Sequence, residues 1–417
     1  MSRDLLLDMA RYSRAHAEAG TIAQASDVLE IPAAHYVDPG RWALEIKQVF
    51  RRVPLLLAVT AELKEPGDYK TMTVAGVPVL MVRHPDGDVR AFLNSCSHRG
   101  AQIMTEPSGN ARQFSCPYHA WTYNHAGDLI AIYGEKEFGT LDKTCHGLVS
   151  LPVKEVAGLI WVSIDPNSPL GIDEFLCGYE DLLAHFGFET WHLFEQRTLE
   201  GPNWKIAYDG YLDLYHLPIL HRETFGPSMS SQALYTAWGP HQRVSSPDRL
   251  VGDDADTAAA NWSDAQLMNG VWTIFPHISI ASFDGGGGRG VMLSQLFPGE
   301  HAGQSFTNQL YIMEQPPANE EIAAAATAQF DFLKHVVRDE DYATGLRQQV
   351  ALGSGLRGNV MFGRNEAGGQ HFHGWLDRLL SATDAELPSL FSGVDAPVVH
   401  GESGDWRRGE IRGVSAG

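Results

Sequence analysis

Apolar and polar positions alternate with different periods in three parts of the chain. Near the start, Leu5, Leu6, Met9 and Tyr12 recur at helical spacing, and beyond a loop holding Pro32 and Pro39 a second amphipathic stretch runs from Arg41 to Val49. From about residue 51 to 165 the pattern changes to short runs of β-branched and aromatic residues. Turn signals separate these runs at Ala75-Gly76, Pro85-Asp86-Gly87, Ala126-Gly127-Asp128 and Ala157-Gly158, which predicts antiparallel hairpins in a small all-β module.

Past Asp165-Pro166-Asn167 the pattern is mixed. Helical stretches are expected near 173–186 and 205–216, strand-like runs at 271–283, 291–297 and 305–313, and a long helix over 319–351, broken near Gly345. Strands in succession with helices packed on one face predict an α+β domain. The expected division is an N-terminal helical arm over 1–45 packing on the last domain, a β module over 46–165 and an α+β domain over 166–417. The last dozen residues read as a loose tail, and no fixed-period repeat occurs.

Charge narrows the functions available. Lys plus Arg number 31 and Asp plus Glu 51, a formal charge of −20, which repels phosphate backbones and anionic lipid and so argues against nucleic acid. No apolar run reaches the roughly 18 to 20 residues of a membrane span. The opening MSRDLLLDMARYSRAHAEAG scatters Asp and Arg among its leucines, unlike a secretory signal, and a cytoplasmic address is expected. Four cysteines, Cys96, Cys116, Cys145 and Cys177, are too few for a disulfide scaffold, so metal binding is the first thought for any two that share a task. Cys145 and Cys177 have no metal-binding neighbours in sequence and are expected to be buried thiols.

The first constellation is Cys96-Ser97-His98-Arg99-Gly100 followed by Cys116-Pro117-Tyr118-His119-Ala120-Trp121. Two thiolates can hold one iron of a [2Fe-2S] cluster while two imidazoles hold the other. Replacing two thiolates by neutral imidazoles raises the potential to about −150 to +300 mV. Two Cys and two His also satisfy structural zinc. A zinc finger, however, pairs Cys with Cys and His with His, whereas here each loop supplies one of each.

The second constellation lies within Asn203–His221, expected to be helical for most of its length. Asp209, Asp213 and His216 fall at i, i+4 and i+7, on one side of a helix. His216 and His221 would diverge by roughly 140° on a straight helix, and a break at Pro218 is the expected remedy. Two His plus one carboxylate form the facial arrangement that binds Fe(II) with open positions. Asp341 is the best distant carboxylate, with Asp339 the near alternative.

Taken together, Cys-x-His-x17-Cys-x2-His and, about a hundred residues later, Asp-x2-His-x4-His resemble the Rieske non-haem iron aromatic-ring-hydroxylating oxygenases, large (alpha) subunit. The resemblance extends from about residue 40 to 375, and it implies a small Rieske β domain followed by a helix-grip (START-like) catalytic domain with an antiparallel sheet. It implies that Cys96, His98, Cys116 and His119 bind the cluster and that His216, His221 and Asp341 bind the mononuclear iron. Asp213 matches the acid that links an iron-binding His to the cluster of a neighbouring subunit, so a homotrimer (α3 or α3β3) is implied. Gln349, eight residues after Asp341, supports that register. One departure is Asp209, where many members carry Asn, and another is Pro54, where relatives often carry Trp.

Gly285-Gly286-Gly287-Gly288-Arg289-Gly290 fits Gly-x-Gly-x-x-Gly, but the following Val291–Leu296 reads as strand, so no helix N-terminus awaits a pyrophosphate and a hairpin is expected. Electrons then come from a separate reductase, with or without a ferredoxin. The expected activity is that of a terminal oxygenase acting on a small aromatic substrate with O2, ring dihydroxylation favoured, monooxygenation or demethylation second. The rival classes are an electron-transfer or binding protein without catalytic iron, and a zinc-stabilised module. Among residues near the iron motif, Leu212, Leu217 and Phe225 are the candidates to line a substrate cavity, drawn from a wider group with Tyr208, Tyr211, Leu220, Trp272, Phe275 and Phe283.

Overall fold

The computed structural model describes residues 2–247, 261–285, 287–394 and 398–400, without the side chains of 283–285 and 398–400. The C-terminal tail expected from sequence lies outside the described residues. The opening helix is Ser2–Ala19, and its buried face is Leu6, Leu7, Met9 and Ala10. Arg3 secures its start, with Nε 3.1 Å from Asp264 and an Nη2 bond to the Trp262 carbonyl. After it, Leu29–Pro32 pairs antiparallel with Asn359–Phe362, stitching the arm to the C-terminal region. The helix Pro39–Glu45 begins with Asp38 capping Arg41 N and Pro39 in its first turn, where a missing N–H costs nothing.

The β module consists of short antiparallel sheets. One has five strands in the order Ser150–Leu151, Val89–Leu93, Val77–Arg83, Asp68–Val74, Ser108–Asn110, and one has three, with Leu159–Val162 between Val153–Val156 and Leu55–Val59. A third, formed by Phe114–Ser115, Thr122–Tyr123 and Leu129–Ala131, carries the second cysteine loop. Leu55–Val59 is buried along its whole length, as an all-apolar run packed on both faces should be. It belongs to the same core as Trp272, Leu293 and Leu310 of the last domain, so the two modules share one apolar interior. A separate small core of Leu80, Phe92, Phe114, Trp121 and Tyr123 lies beneath the cysteine loops.

The last domain is an antiparallel sheet of eight strands, in the order His192–Gly201, Ser305–Met313, Gly288–Pro298, Ile278–Gly285, Val271–Ile274, His241–Ser245, Leu234–Trp238, Val398–His400. Ile278–Gly285 and Gly288–Pro298 pair antiparallel at the glycine run, with Gly285 opposite Gly288; Gly286 lies outside the described residues. The architecture is thus α+β, a small all-β domain followed by an antiparallel sheet that holds helices. Among the described residues no helix is long and apolar enough to cross a membrane.

Two helices differ from expectation. The segment after Asn203 forms only Trp204–Asp209 and a single 3₁₀ turn, Gly210–Leu212, before Asp213 adopts an extended conformation (φ −127°, ψ 130°). The break therefore falls at Asp213 and not at Pro218, which sits in the first turn of the short helix Leu217–Leu220. The long C-terminal helix is Glu320–His335 and Ala343–Gly353, joined by a π-helical stretch over Val336–Tyr342, so Gly345 does not break it. A Cβ on Gly345 would lie 2.8 Å from Pro202 Cγ; its bare backbone lets this helix approach the start of the Trp204 helix.

Candidate iron and cluster sites

The two cysteine loops close alike. Gly100 N donates to Cys96 O (2.8 Å) and Ala120 N to Cys116 O (2.9 Å), while Cys96 N bonds to Ala101 O and Cys116 N to Trp121 O. The closing residue is left-handed in each, Gly100 at φ 76° and Ala120 at φ 54°. A β-carbon in that region is strained, and such strain persists where the surrounding loop fixes it. These loops bring the His98 and His119 rings to 4.7 Å between centroids, with His98 stacked on Trp121.

Cys96 and Cys116 are buried free thiols, and His98 Nδ1 is buried with no hydrogen-bond partner. Buried polar atoms are rarely orphaned, so an unpartnered imidazole nitrogen beside two buried thiols fits a metal cluster as the missing partner. Tyr123 OH lies 3.3 Å from Cys96 Sγ and accepts from Ser97 N, and burial pushes its pKa up to about 12. Cys177 is buried as expected. Cys145 is exposed, on the turn Lys143–Cys145 beside Asp142, while Leu141 and Leu148 on either side of it pack on the small core.

His216, His221 and Asp341 each offer a donor atom, and the three lie within 4.8 Å of one another. His216 immediately precedes the helix Leu217–Leu220 and His221 immediately follows it, so one helical turn separates rings whose centroids are 5.1 Å apart. Asp341 Oδ1 is 3.1 Å from His221 Nε2 and 3.7 Å from His216 Nε2. Two imidazoles and one carboxylate converging this closely, with open cavity beside them, suit Fe(II). Asp339, the near alternative, points away to His335 and Arg338, which hold its carboxyl well below the usual range.

Each histidine has a carboxylate behind it. Asp213 Oδ2 is 3.0 Å from His216 Nδ1, and its other oxygen accepts from Tyr215 N. Glu340 Oε2 is 2.7 Å from His221 Nδ1. Burial lowers the pKa of His221, but Asp341 and Glu340 outweigh it and raise the value overall. Sequence reasoning assigned Glu340 no role; the only available signal was an acid adjacent to Asp341. Asp209 accepts from Tyr36 OH (2.7 Å) and faces His373 Nε2 (3.0 Å), and its partners among the described residues include none of His216, His221 and Asp341. Gln349 Oε1 accepts from Asn203 N, tying the C-terminal helix to the start of the segment that carries His216 and His221.

A cavity of about 300 Å³ opens on His216, His221 and Asp341. Tyr211, Leu217, Phe225, Met229, Met292 and Val337 are among its walls, and no Lys or Arg is among its described lining residues. Leu217 and Phe225 were expected there. Leu212 was too, but it points into the core, as do Tyr208, Trp272 and Phe275. Leu220 faces a second cavity, of about 230 Å³, on the Asp213 side. The Phe283 side chain lies outside the described residues.

Comparison with known proteins agrees with this geometry. The Rieske [2Fe-2S] domain family matches residues 54–146, and the ring hydroxylating alpha subunit (catalytic domain) family matches 188–382. A glycine betaine monooxygenase oxygenase subunit of Chromohalobacter salexigens is 31% identical over 208 residues, 50% of this chain and 46% of that protein. Chlorobenzene dioxygenase subunit alpha of a Cupriavidus species is 36% identical over 188 residues, 43% of this chain and 42% of that protein. The matches span about half the length of these curated relatives. Among solved structures, the quaternary ammonium Rieske monooxygenase CntA superposes with a TM-score of 0.69 at 21% identity, covering 85% of this chain and 96% of its own. Naphthalene 1,2-dioxygenase from Rhodococcus sp. gives 0.70 at 18%, covering 91% and 99%. At those identities the likeness concerns the fold.

Proposed function

Because the chain belongs to the Rieske non-haem iron oxygenases, large subunit, we propose that it is the terminal oxygenase of a multicomponent system, with residues 46–165 as the cluster domain and 166–417 as the catalytic domain. The observation that carries this reading is the convergence of His216, His221 and Asp341 beside an apolar cavity. When bound, the cluster supplies single electrons and the mononuclear iron activates dioxygen.

In this reading Cys96, His98, Cys116 and His119 hold the cluster, and His216, His221 and Asp341 hold the iron. Asp213 orients His216 through Nδ1 and, in an assembled ring, hydrogen-bonds to His98 or His119 of an adjacent chain. Exposed apolar side chains beside His119 and beside Asp213 are consistent with a head-to-tail assembly of copies. Tyr118 (61% exposed) lies tilted against His119, 3.7 Å between ring centroids, with Tyr133 and Phe138 also exposed in the same domain, while the exposed Met361 lines the cavity on the Asp213 side. A separate reductase, with or without a ferredoxin, supplies the electrons.

Monooxygenases stand beside ring dioxygenases among the relatives, and on that account insertion of one oxygen atom fits as well as or better than the ring dihydroxylation first expected from sequence. The cavity favours a small, mostly apolar substrate, since its described walls offer no cation to a substrate carboxylate. Those apolar walls and the chlorobenzene dioxygenase relative also keep arene dihydroxylation as a second reading.

A single-turnover experiment tests both. The chemically reduced, iron-loaded protein is exposed to ¹⁸O₂ with a panel of small arenes and alkyl arenes, whose C–O products keep the label. One labelled atom per product supports monooxygenation and two support dihydroxylation. Absence of labelled product throughout, or equal yield from His216→Ala, overturns the oxygenase reading.

A further inference from the structure

His221 is 98% buried, and both of its ring nitrogens meet carboxylates from consecutive residues, Asp341 at Nε2 and Glu340 at Nδ1. Neighbours on a regular α-helix diverge by about 100°. Here the π-helical stretch Val336–Tyr342 brings both to one imidazole, the kind of irregularity that clusters at functional sites. Glu340 is itself held, because Thr224 Oγ1 lies 2.7 Å from each of its oxygens. Thr224 N in turn donates to the His221 carbonyl, so the histidine and its anchor occupy one turn of chain.

Glu340 lines neither the apolar cavity nor the one on the Asp213 side. Its reach ends at His221 and Thr224, so contact with substrate does not explain its place.

Resting on the assignment of His216, His221 and Asp341 as the iron site, we propose that Glu340 is a positioning residue: its carboxylate, fixed by Thr224, holds His221 from behind and presents Nε2 to the metal. A carboxylate only accepts, so Nδ1 must carry the proton; this leaves Nε2 as the free lone pair and raises its basicity. Removing a partner of this kind lowers metal affinity by about 10- to 100-fold.

The test uses the full chain with its cluster loaded, under anaerobic conditions. Fe²⁺ affinity is measured by chelator competition, and bound Co²⁺ is followed by its visible ligand-field spectrum. Glu340→Ala should weaken Fe²⁺ binding about 10- to 100-fold and shift the Co²⁺ bands. Glu340→Gln, whose amide oxygen still accepts from Nδ1, should recover part of both, and Thr224→Val should fall between wild type and Glu340→Ala. Unchanged cluster absorbance serves as the control for folding.

Wild-type affinity and an unshifted Co²⁺ spectrum in Glu340→Ala overturn the proposal. If that variant does not fold, wild-type behaviour of Thr224→Val and Glu340→Gln overturns it instead. If the wild-type chain binds Fe²⁺ no better than His216→Ala, the iron-site assignment fails, and the inference fails with it for that separate reason.

Discussion

Glu45 and Lys205 form an ion pair with no solvent exposure on either side chain, Nζ to Oε2 at 2.6 Å. Trp204 Nε1 donates to the same oxygen at 2.9 Å, and Arg41 Nε lies 3.1 Å from the other. Glu45 ends the helix Pro39–Glu45 and Lys205 lies in Trp204–Asp209, so the pair fastens the N-terminal region to the segment that leads into His216 and His221. Burial pushes the Lys205 pKa down and the Glu45 carboxylate pulls it back. Glu45→Ala leaves an ammonium in the interior without its counter-ion, which costs about 3–5 kcal/mol. The orphaned Trp204 N–H adds roughly 1 kcal/mol or more. Replacing both partners, Glu45→Met with Lys205→Met, removes the buried charge and should recover most of the loss. Urea unfolding, read as the midpoint and slope of the catalytic-domain transition, measures the difference; one global free energy would misdescribe a multidomain chain. A loss below about 1 kcal/mol for Glu45→Ala, or a double variant less stable than both single ones, refutes the reasoning.

Two further outcomes are expected. Tyr123→Phe removes a hydroxyl 3.3 Å from Cys96 Sγ, and since a donated hydrogen bond draws charge from a cluster thiolate, its reduction potential should fall; voltammetry showing an unchanged or higher potential contradicts this. For Glu155, burial raises the pKa, but Arg83, at 2.5 and 2.8 Å, together with Thr60 lowers it below the ordinary 4.5. A depressed folded value means the stabilisation is present above that ordinary value and lost as pH falls through the folded one. Glu155→Gln should therefore be less stable than wild type at neutral pH and nearly equal to it in acid, and a deficit of the same size in urea midpoints at both ends counts against the assignment.

How much of this was legible in the sequence depends on whether spacing or packing decides the outcome. The cysteine loops are local, and Cys-x-His with Cys-x2-His sufficed to group Cys96, His98, Cys116 and His119. Asp341 was selected over Asp339 only through the family register, because three acids in a row on a helix cannot be told apart by periodicity. The structure separates them: Asp341 reaches both histidines, Glu340 lies behind one, and Asp339 faces Arg338. Cys145 looked apolar by type, yet Leu141 and Leu148 take the inward places of its loop and leave it exposed. Asp209 is explained by partners at positions 36 and 373, distances that no local pattern encodes.

The two misplaced helix breaks share a cause, and it bears on the site. Pro218 and Gly345 are the residues that interrupt helices by propensity, but Pro is harmless in a first turn and Gly345 is needed for close packing. The actual interruptions occur at Asp213, whose carboxylate competes for the Tyr215 N–H, and over Val336–Tyr342. Both lie beside or within the donors of one site. Histidines five apart on a regular helix would diverge, and a regular C-terminal helix would present only one of its acids to His221. Bringing three donor atoms within 4.8 Å therefore requires local structure that propensity alone disfavours, held by surroundings that over-determine it. Those surroundings are present: Gln349 on Asn203, Gly345 against Pro202, and Tyr342 OH 2.5 Å from Thr307 on the sheet. If that support is what maintains the convergence, Gly345→Ala should weaken Fe²⁺ retention without altering any ligand, by forcing apart the helix that carries Asp341. Unchanged chelator-competition affinity in a folded Gly345→Ala protein would show that the donors hold their places without it.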